Sequence, residues 1–189
     1  HWGLENFVTA LQSLPFVNLY INTALLIVLR VICAVVFSSM AGYAFAKLNF
    51  PCKNLLFSIV LVQMMLPSQI FITPQYLMLA RMGLTNTIFA LVFPGIVSAF
   101  GTFFLRQTYL GIPNEIAEAA YLDGCTKWQT FTKVMFPLTG SSCASLAIFP
   151  VAFAYSYLTV PPVCVPDLNR LTLSAGLLRL TGRYLPAFP

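Results

Sequence analysis

The run "FVNLYINTALLIVLRVICAVVFSSMAGYAFA", residues 16–46, carries a single charged side chain, Arg30. Crossing a bilayer takes about 20 consecutive apolar residues, and this run is long enough. Three further stretches reach that length: Asn54–Thr73, Asn86–Leu105 and Met135–Val160. A fifth, Leu171–Leu180, is too short, carries Arg179 and is read as non-spanning. An open strand in lipid would leave backbone groups unpaired, so all four spans are expected to be helices. The fold class that follows is an all-α polytopic membrane protein.

Composition outward from that run agrees. The chain is 59% hydrophobic and 8% charged, against roughly 25% charged in an ordinary soluble domain, and its mean hydropathy is +0.84. The formal charge of +5 contains no basic run, so it does not point to nucleic acid. The cysteines at 33, 52, 125, 143 and 164 show no CxxC pair and no metal-ligand spacing; they read as small packing residues. The chain starts at His1 without a charged segment ahead of an apolar one, which reads as a fragment with no signal peptide.

Pro67, Pro94 and Pro150 fall inside the spans and are expected to kink them. The small-residue stretches Ser38-Ser39-Met40-Ala41-Gly42 and Gly140-Ser141-Ser142-Cys143-Ala144-Ser145 are expected to let helix backbones approach closely. Lys47, Lys53, Arg106, Lys127 and Lys133 fall on one side of these spans, while Arg81 and Arg170 lie near span ends on the other. The positive-inside rule then puts the loop 106–134 in the cytoplasm and both termini outside.

That loop gathers three of the chain's five acidic residues, Glu115, Glu118 and Asp123. Pro113 reads as a first-turn residue, with Glu115 where the helix dipole favours negative charge. Gly124 is expected to close the helix in the left-handed conformation. A second amphipathic segment is expected over Trp128–Val134. Alanines 117 and 120 leave room for a partner's surface. Helices lying on lipid usually carry Lys and Arg, and an acidic helix with a small-residue face suits a protein partner better.

The spacing Glu118-Ala119-Ala120, three residues, Gly124, nine residues, Val134, one residue, Phe136-Pro137 resembles the EAA loop of binding-protein-dependent ABC importer permeases. That family reads Ile and Leu where this chain has Val134 and Phe136. The segments 22–54, 64–87, 100–116 and "DLNRLTLSAGL" at 167–177 are similar to the carbohydrate branch, of maltose and glycerol-phosphate type. The resemblance covers roughly residues 4–180. It departs at Ser141, often proline in the family, and at Tyr155-Ser156-Tyr157, often a Trp-Asn pair.

The resemblance implies a type I ABC importer transmembrane helix bundle. A subunit of that kind has six spans, of which this chain is expected to lack the first and last. The residues 1–189 would then form a single truncated permease domain. It implies an inner-membrane subunit that pairs with a second permease, docks on a cytoplasmic ABC ATPase dimer and receives solute from an extracytoplasmic binding protein. Glu118, Ala119, Ala120, Asp123, Gly124 and Pro137 would form the ATPase coupling site. No GxxxxGK[ST] phosphate loop occurs, so ATP and Mg belong to the partner ATPase. The chain is expected to bind no cofactor or metal and to have no catalytic residues.

A substrate pathway is expected at the polar residues within the spans, each costly unless paired or facing a cavity. Gln63, Ser68, Gln69 and Thr73 form one set whose amides and hydroxyls could bond sugar hydroxyls, with Tyr76, Tyr155 or Tyr157 stacking on a ring. The alternative for each is a helix-to-helix hydrogen bond. Arg30 would cost roughly 2.5–3.5 kcal/mol at mid-membrane; it is expected to snorkel to the outer surface, with a pore-facing charge as the alternative. Two rival readings stand beside the importer. An ATP-independent secondary transporter or channel predicts ionisable residues paired within the spans, and only Arg30 is there. The other is a truncated, non-functional permease remnant.

Overall fold

The computed structural model describes residues 15–156, 164–165 and 167–184, and every regular element among them is helical. The first, α1 (Phe16–Lys47), runs unbroken for 32 residues. It has no proline and no glycine before Gly42, and Lys47 in its last turn complements the helix dipole. Pro51 and Cys52 then turn the chain, Cys52 in the left-handed region at φ 57°. After this come α2 (Lys53–Met65), a 3₁₀ turn Ser68–Phe71 and α3 (Ile72–Arg81). The short α4 (Ile88–Val92) passes into a 3₁₀ turn Phe93–Gly95, and α5 (Ala99–Leu110) follows. Next are α6 (Asn114–Leu122), α7 (Lys127–Gln129), a π-helical stretch Thr130–Met135 and α8 (Phe136–Leu138). The chain continues with α9 (Gly140–Ser156) and, further on, α10 (Leu173–Tyr184).

Among the described residues only α1 is long and apolar enough to cross a membrane by itself, and three bent helix pairs, counted as one span each, bring the number to four. Two of the three prolines act as breaks where kinks are expected. Leu66, before Pro67, is extended at ψ 135° and ends α2, because the proline ring disfavours helical geometry in the residue ahead of it. Pro94 stands in the 3₁₀ turn that closes α4. Pro150 alone sits inside a continuous helix.

The chain forms two compact units, one built from within 1–30, 71–94 and 151–189, the other from 31–70 and 95–150. In the first unit Leu19, Leu26, Leu79, Ala90, Leu91, Leu171 and Ala175 are completely buried. The start of α1 is tied to the region before α10: the Asn22 side-chain amide donates to the Asn169 and Leu171 carbonyls at 2.8 and 3.2 Å. Thr23 Oγ1 accepts from the Leu173 amide at 2.8 Å. Gly176 lets α10 come close to α1, since a Cβ there would lie 2.7 Å from Leu19 Cδ1.

Arg30 belongs to this unit and does not snorkel. It is only 3% exposed, a guanidinium nitrogen donates to the Leu91 carbonyl at 2.9 Å, and its Cζ lies 5.8 Å from the Phe153 ring centroid. Leu91 lies one turn before Pro94, where the helix is about to break and carbonyls lose their helical donors. The buried cation supplies one.

In the second unit the end of α1 packs closely on α5. A Cβ on Gly42 would lie 2.9 Å from the Arg106 backbone nitrogen, and one on Gly101 would lie 2.5 Å from Ser38 Oγ. Ser38 and Ser39 are completely buried, so the first small-residue stretch does bring backbones together. Close van der Waals packing of this kind holds helices in lipid, where apolar burial gives no drive. In the second stretch Cys143 is buried, while Gly140, Ser141, Ala144 and Ser145 are exposed.

Candidate functional site

The loop between α5 and α9 is held by its own chain at several points. Tyr109, near the end of α5, is completely buried. Its hydroxyl shares a 2.6 Å hydrogen bond with Ser39 of α1 and accepts one from Thr139 Oγ1 at 3.3 Å. The Tyr43 ring meets Tyr109 edge-on, with centroids 5.6 Å apart, and Phe131 at 5.2 Å. Phe131 in turn meets Trp128 and Phe136 at 5.5 and 5.9 Å. Aromatic pairs at such spacing each contribute about 0.5–1.5 kcal/mol beyond their burial. Lys47, the last residue of α1, reaches the start of α6, donating to the Ile112 carbonyl and to Asn114 Oδ1, both at 2.6 Å.

The caps of α6 are local. Pro113 occupies the N-cap position and Asn114 is the first helical residue, so the helix starts one residue later than a first-turn proline would place it. Glu115 lies in the first turn, where its charge favours the dipole. At the other end Gly124 takes φ 84°, the Cys125 amide donates to the Ala120 carbonyl at 2.9 Å and the Gly124 amide to Tyr121 at 3.0 Å. That pair of bonds is a Schellman closure, and it needs the left-handed residue that sequence reading assigns to Gly124.

The second segment starts at Lys127 with a capping box. Thr126 Oγ1 accepts from the Gln129 amide at 3.2 Å, and Gln129 Oε1 from the Thr126 amide at 2.9 Å. It then widens into the π-helical turns Thr130–Met135. Pro137, exposed in the first turn of α8, has no N–H to give the Lys133 carbonyl. A bend of 78° follows before the helix from Gly140.

One expectation is reversed. Ala117 and Ala120 are 7% and 5% exposed, and Ala117 joins the cluster of Tyr43, Tyr109, Phe131 and Met135. The small face of α6 therefore packs on its own chain and is not open to a partner. What faces outward is Glu115, Glu118, Ala119, Leu122 and Asp123, all exposed, with Leu122 90% so and Trp128 58%. Residues 115, 118, 119 and 122 share the i, i+3, i+4, i+7 face. Sequence reading missed Leu122, although that spacing could have found it.

The polar set is placed differently. Gln63 lies in the last turn of α2, and Ser68 and Gln69 lie in the 3₁₀ turn after Pro67; all three are exposed. Thr73 is exposed on α3 and Tyr76 half-buried. Tyr155 lies on α9, but its side chain and the whole of Tyr157 fall outside the described residues. Among the described residues no group of three His, Cys, Asp or Glu side chains could hold a metal ion.

Several known proteins are similar to this chain. The arabinooligosaccharides transport system permease protein AraQ of Halalkalibacterium halodurans is 36% identical over 86% of this chain and 58% of its own length. The diacetylchitobiose uptake system permease protein NgcG of Streptomyces coelicolor is 27% identical over 94% of this chain and 59% of its own. The sn-glycerol-3-phosphate transport system permease protein UgpE of Salmonella typhi is 27% identical over 92% of this chain and 64% of its own. The chain thus spans less than two thirds of the length of these relatives. A crystal structure of a bacterial ABC transporter involved in the import of the acidic polysaccharide alginate superposes with a TM-score of 0.79. It covers 90% of this chain at 20% identity, and the likeness is one of fold: an ABC importer transmembrane helix bundle. The family model for the binding-protein-dependent transport system inner membrane component matches residues 34–181, and the chain belongs to that family.

Proposed function

We propose that this chain is part of a permease subunit of an ATP-driven importer, forming half of a translocation pathway for a sugar or related polyol. Its loop 106–134 docks on a cytoplasmic ABC ATPase, which supplies the ATP and Mg chemistry. A second permease subunit completes the pathway, and an extracytoplasmic binding protein delivers solute. The observation that carries the reading is the anchoring of α6. One face presents Glu118, Ala119, Leu122 and Asp123 outward, while Lys47, Tyr43 and Tyr109 tie it to the ends of α1 and α5. A push on that face is thereby a push on two membrane helices. The solutes named for AraQ and NgcG are saccharides, and the exposed Gln63, Ser68 and Gln69 offer uncharged hydrogen-bonding groups to such a solute.

The test changes the outward face only. Ala119→Arg and Leu122→Asp are expected to abolish co-purification of the ATPase while the protein still inserts in the membrane. Undiminished ATPase recovery from both variants would remove the docking role. Loop 106–134 is placed inside, with the turn Met82–Thr85 outside. Cys164 is a poor outside reporter, because it is 1% exposed and burial pushes its thiol pKa up. Met82→Cys, at a position 57% exposed, should react with an impermeant maleimide on intact cells, while Cys52 and Cys125 stay unlabelled; the reverse pattern inverts the topology.

A further inference from the structure

A cavity of about 510 Å³ lies in the second unit, at the turn from α1 into α2 and beside the end of α5. Asn49, Cys52, Lys53, Asn54 and Arg106 supply its polar wall. Two of these are cations, and among the described residues no carboxylate lines it. Both cations are held in place. Lys53 Nζ donates to the Leu48 carbonyl at 2.7 Å. Arg106 Nε donates to the Phe45 carbonyl at 3.3 Å, and its guanidinium carbon lies 4.1 Å from the Phe57 ring centroid. An ammonium has three donors and a guanidinium five, so each keeps N–H groups beyond the one that fixes it. Two like charges fixed at one cavity repel each other, and an anion between them removes that repulsion.

Next to the cavity, α2 has no buried residue. Leu55, Ile59 and Val62 follow the i, i+4, i+7 spacing of one helix face and are 63%, 57% and 55% exposed. A cationic cavity at the head of an exposed apolar helix face has the chemistry of a lipid seat. We propose that it binds an anionic phospholipid. The phosphate lies between Lys53 and Arg106, and the acyl chains run along Leu55, Ile59 and Val62. A soluble phosphate would satisfy the cations equally but leave the apolar face without a role, which favours the lipid. The proposal needs only the membrane setting of the family and does not depend on ATPase docking.

The protein, purified from the membrane in detergent as the assembly in which it occurs, is offered phosphatidylglycerol or phosphatidylcholine, and retained lipid is read by native mass spectrometry. Phosphatidylglycerol should be retained over phosphatidylcholine by about fivefold for each cation engaged. Lys53→Gln should cost about fivefold of that preference, and Lys53→Arg should keep it. Asn49→Glu, which adds a negative charge at an exposed rim position, should lower it without touching any packed group. Equal retention of the two lipids by the wild type overturns the proposal, as does a preference unmoved by both Lys53→Gln and Asn49→Glu. If excess inorganic phosphate alone displaces the phosphatidylglycerol, the site is one for a soluble anion and the lipid assignment fails.

Discussion

Two regions of the second unit are built in opposite ways. The loop 106–134 and the end of α1 form a closed cluster, in which Ser39, Leu105, Tyr109, Thr130 and Met135 are completely buried. From α2 through Ile70, by contrast, not one residue is buried. The first region has its geometry set within the chain, by hydroxyls and aromatic edges. The second presents its side chains, polar and apolar alike, to whatever lies beside it. Substitutions in the first should therefore read out as folding, and substitutions in the second as function at constant stability.

The sharpest way to break this contrast is a pair of neighbouring alanines. Ala120 is 5% exposed and Ala119 is exposed. Ala120→Arg puts a charge without a partner into the cluster, a change of the kind that costs about 3–5 kcal/mol, and little folded protein is expected in detergent. Ala119→Arg should stay within about 0.5 kcal/mol of the parent by thermal unfolding and lose only the proposed ATPase docking. Equal melting temperatures for the two would show that α6 does not pack by its alanine face.

Smaller effects sharpen the same picture. Gly42→Ala places a methyl 2.9 Å from the Arg106 backbone nitrogen and 3.1 Å from the Leu105 carbonyl carbon. Neither backbone atom can rotate away, so a loss of about 1–3 kcal/mol is expected. Tyr109→Phe removes the hydroxyl bonded to buried Ser39 at 2.6 Å, leaving a polar group unsatisfied at about 1–3 kcal/mol. Ser39→Ala in the same background should recover part of that loss, because both partners are then gone. A strictly additive double mutant would mean that the hydroxyl pair contributes nothing.

What was legible in the sequence followed from local chemistry. Apolar runs identified the helices, and Gly124 identified the end of α6, because a Schellman closure depends on a few adjacent residues. The direction of the alanine face is also readable, since residues 115, 118, 119 and 122 line up on the opposite side, although acidic flanks on a small-residue helix point equally to an open surface until the burial of Ala117 and Ala120 is known. Pro67 fell between. The residue before a proline is biased to extended backbone, yet the membrane setting favoured a kink over the break that Leu66 makes. Arg30 was out of reach: its acceptor, the Leu91 carbonyl, lies 61 residues away. The π-helical turns before Pro137 and the basic cavity likewise depend on how distant segments pack.

The smallest expected effect on stability is on the polar turn, and it tests the other half of the comparison. Gln63 and Gln69 are exposed, so Gln63→Leu and Gln69→Leu remove no internal packing and should each move stability by no more than about 0.5 kcal/mol. If the two amides instead bond a neighbouring helix in the assembled transporter, their loss weakens that assembly, and subunit recovery falls with the leucines. If they line the solute path, assembly is intact and uptake of a neutral hydroxyl-rich solute slows. Losing a hydrogen bond of this type costs about 0.5–1.5 kcal/mol, roughly a two- to tenfold change in transport at limiting solute. The double variant separates the cases, because a solute bridging both amides gives a loss that is not the sum of the single ones. Normal assembly with normal uptake in the double variant would remove both amides from the pathway.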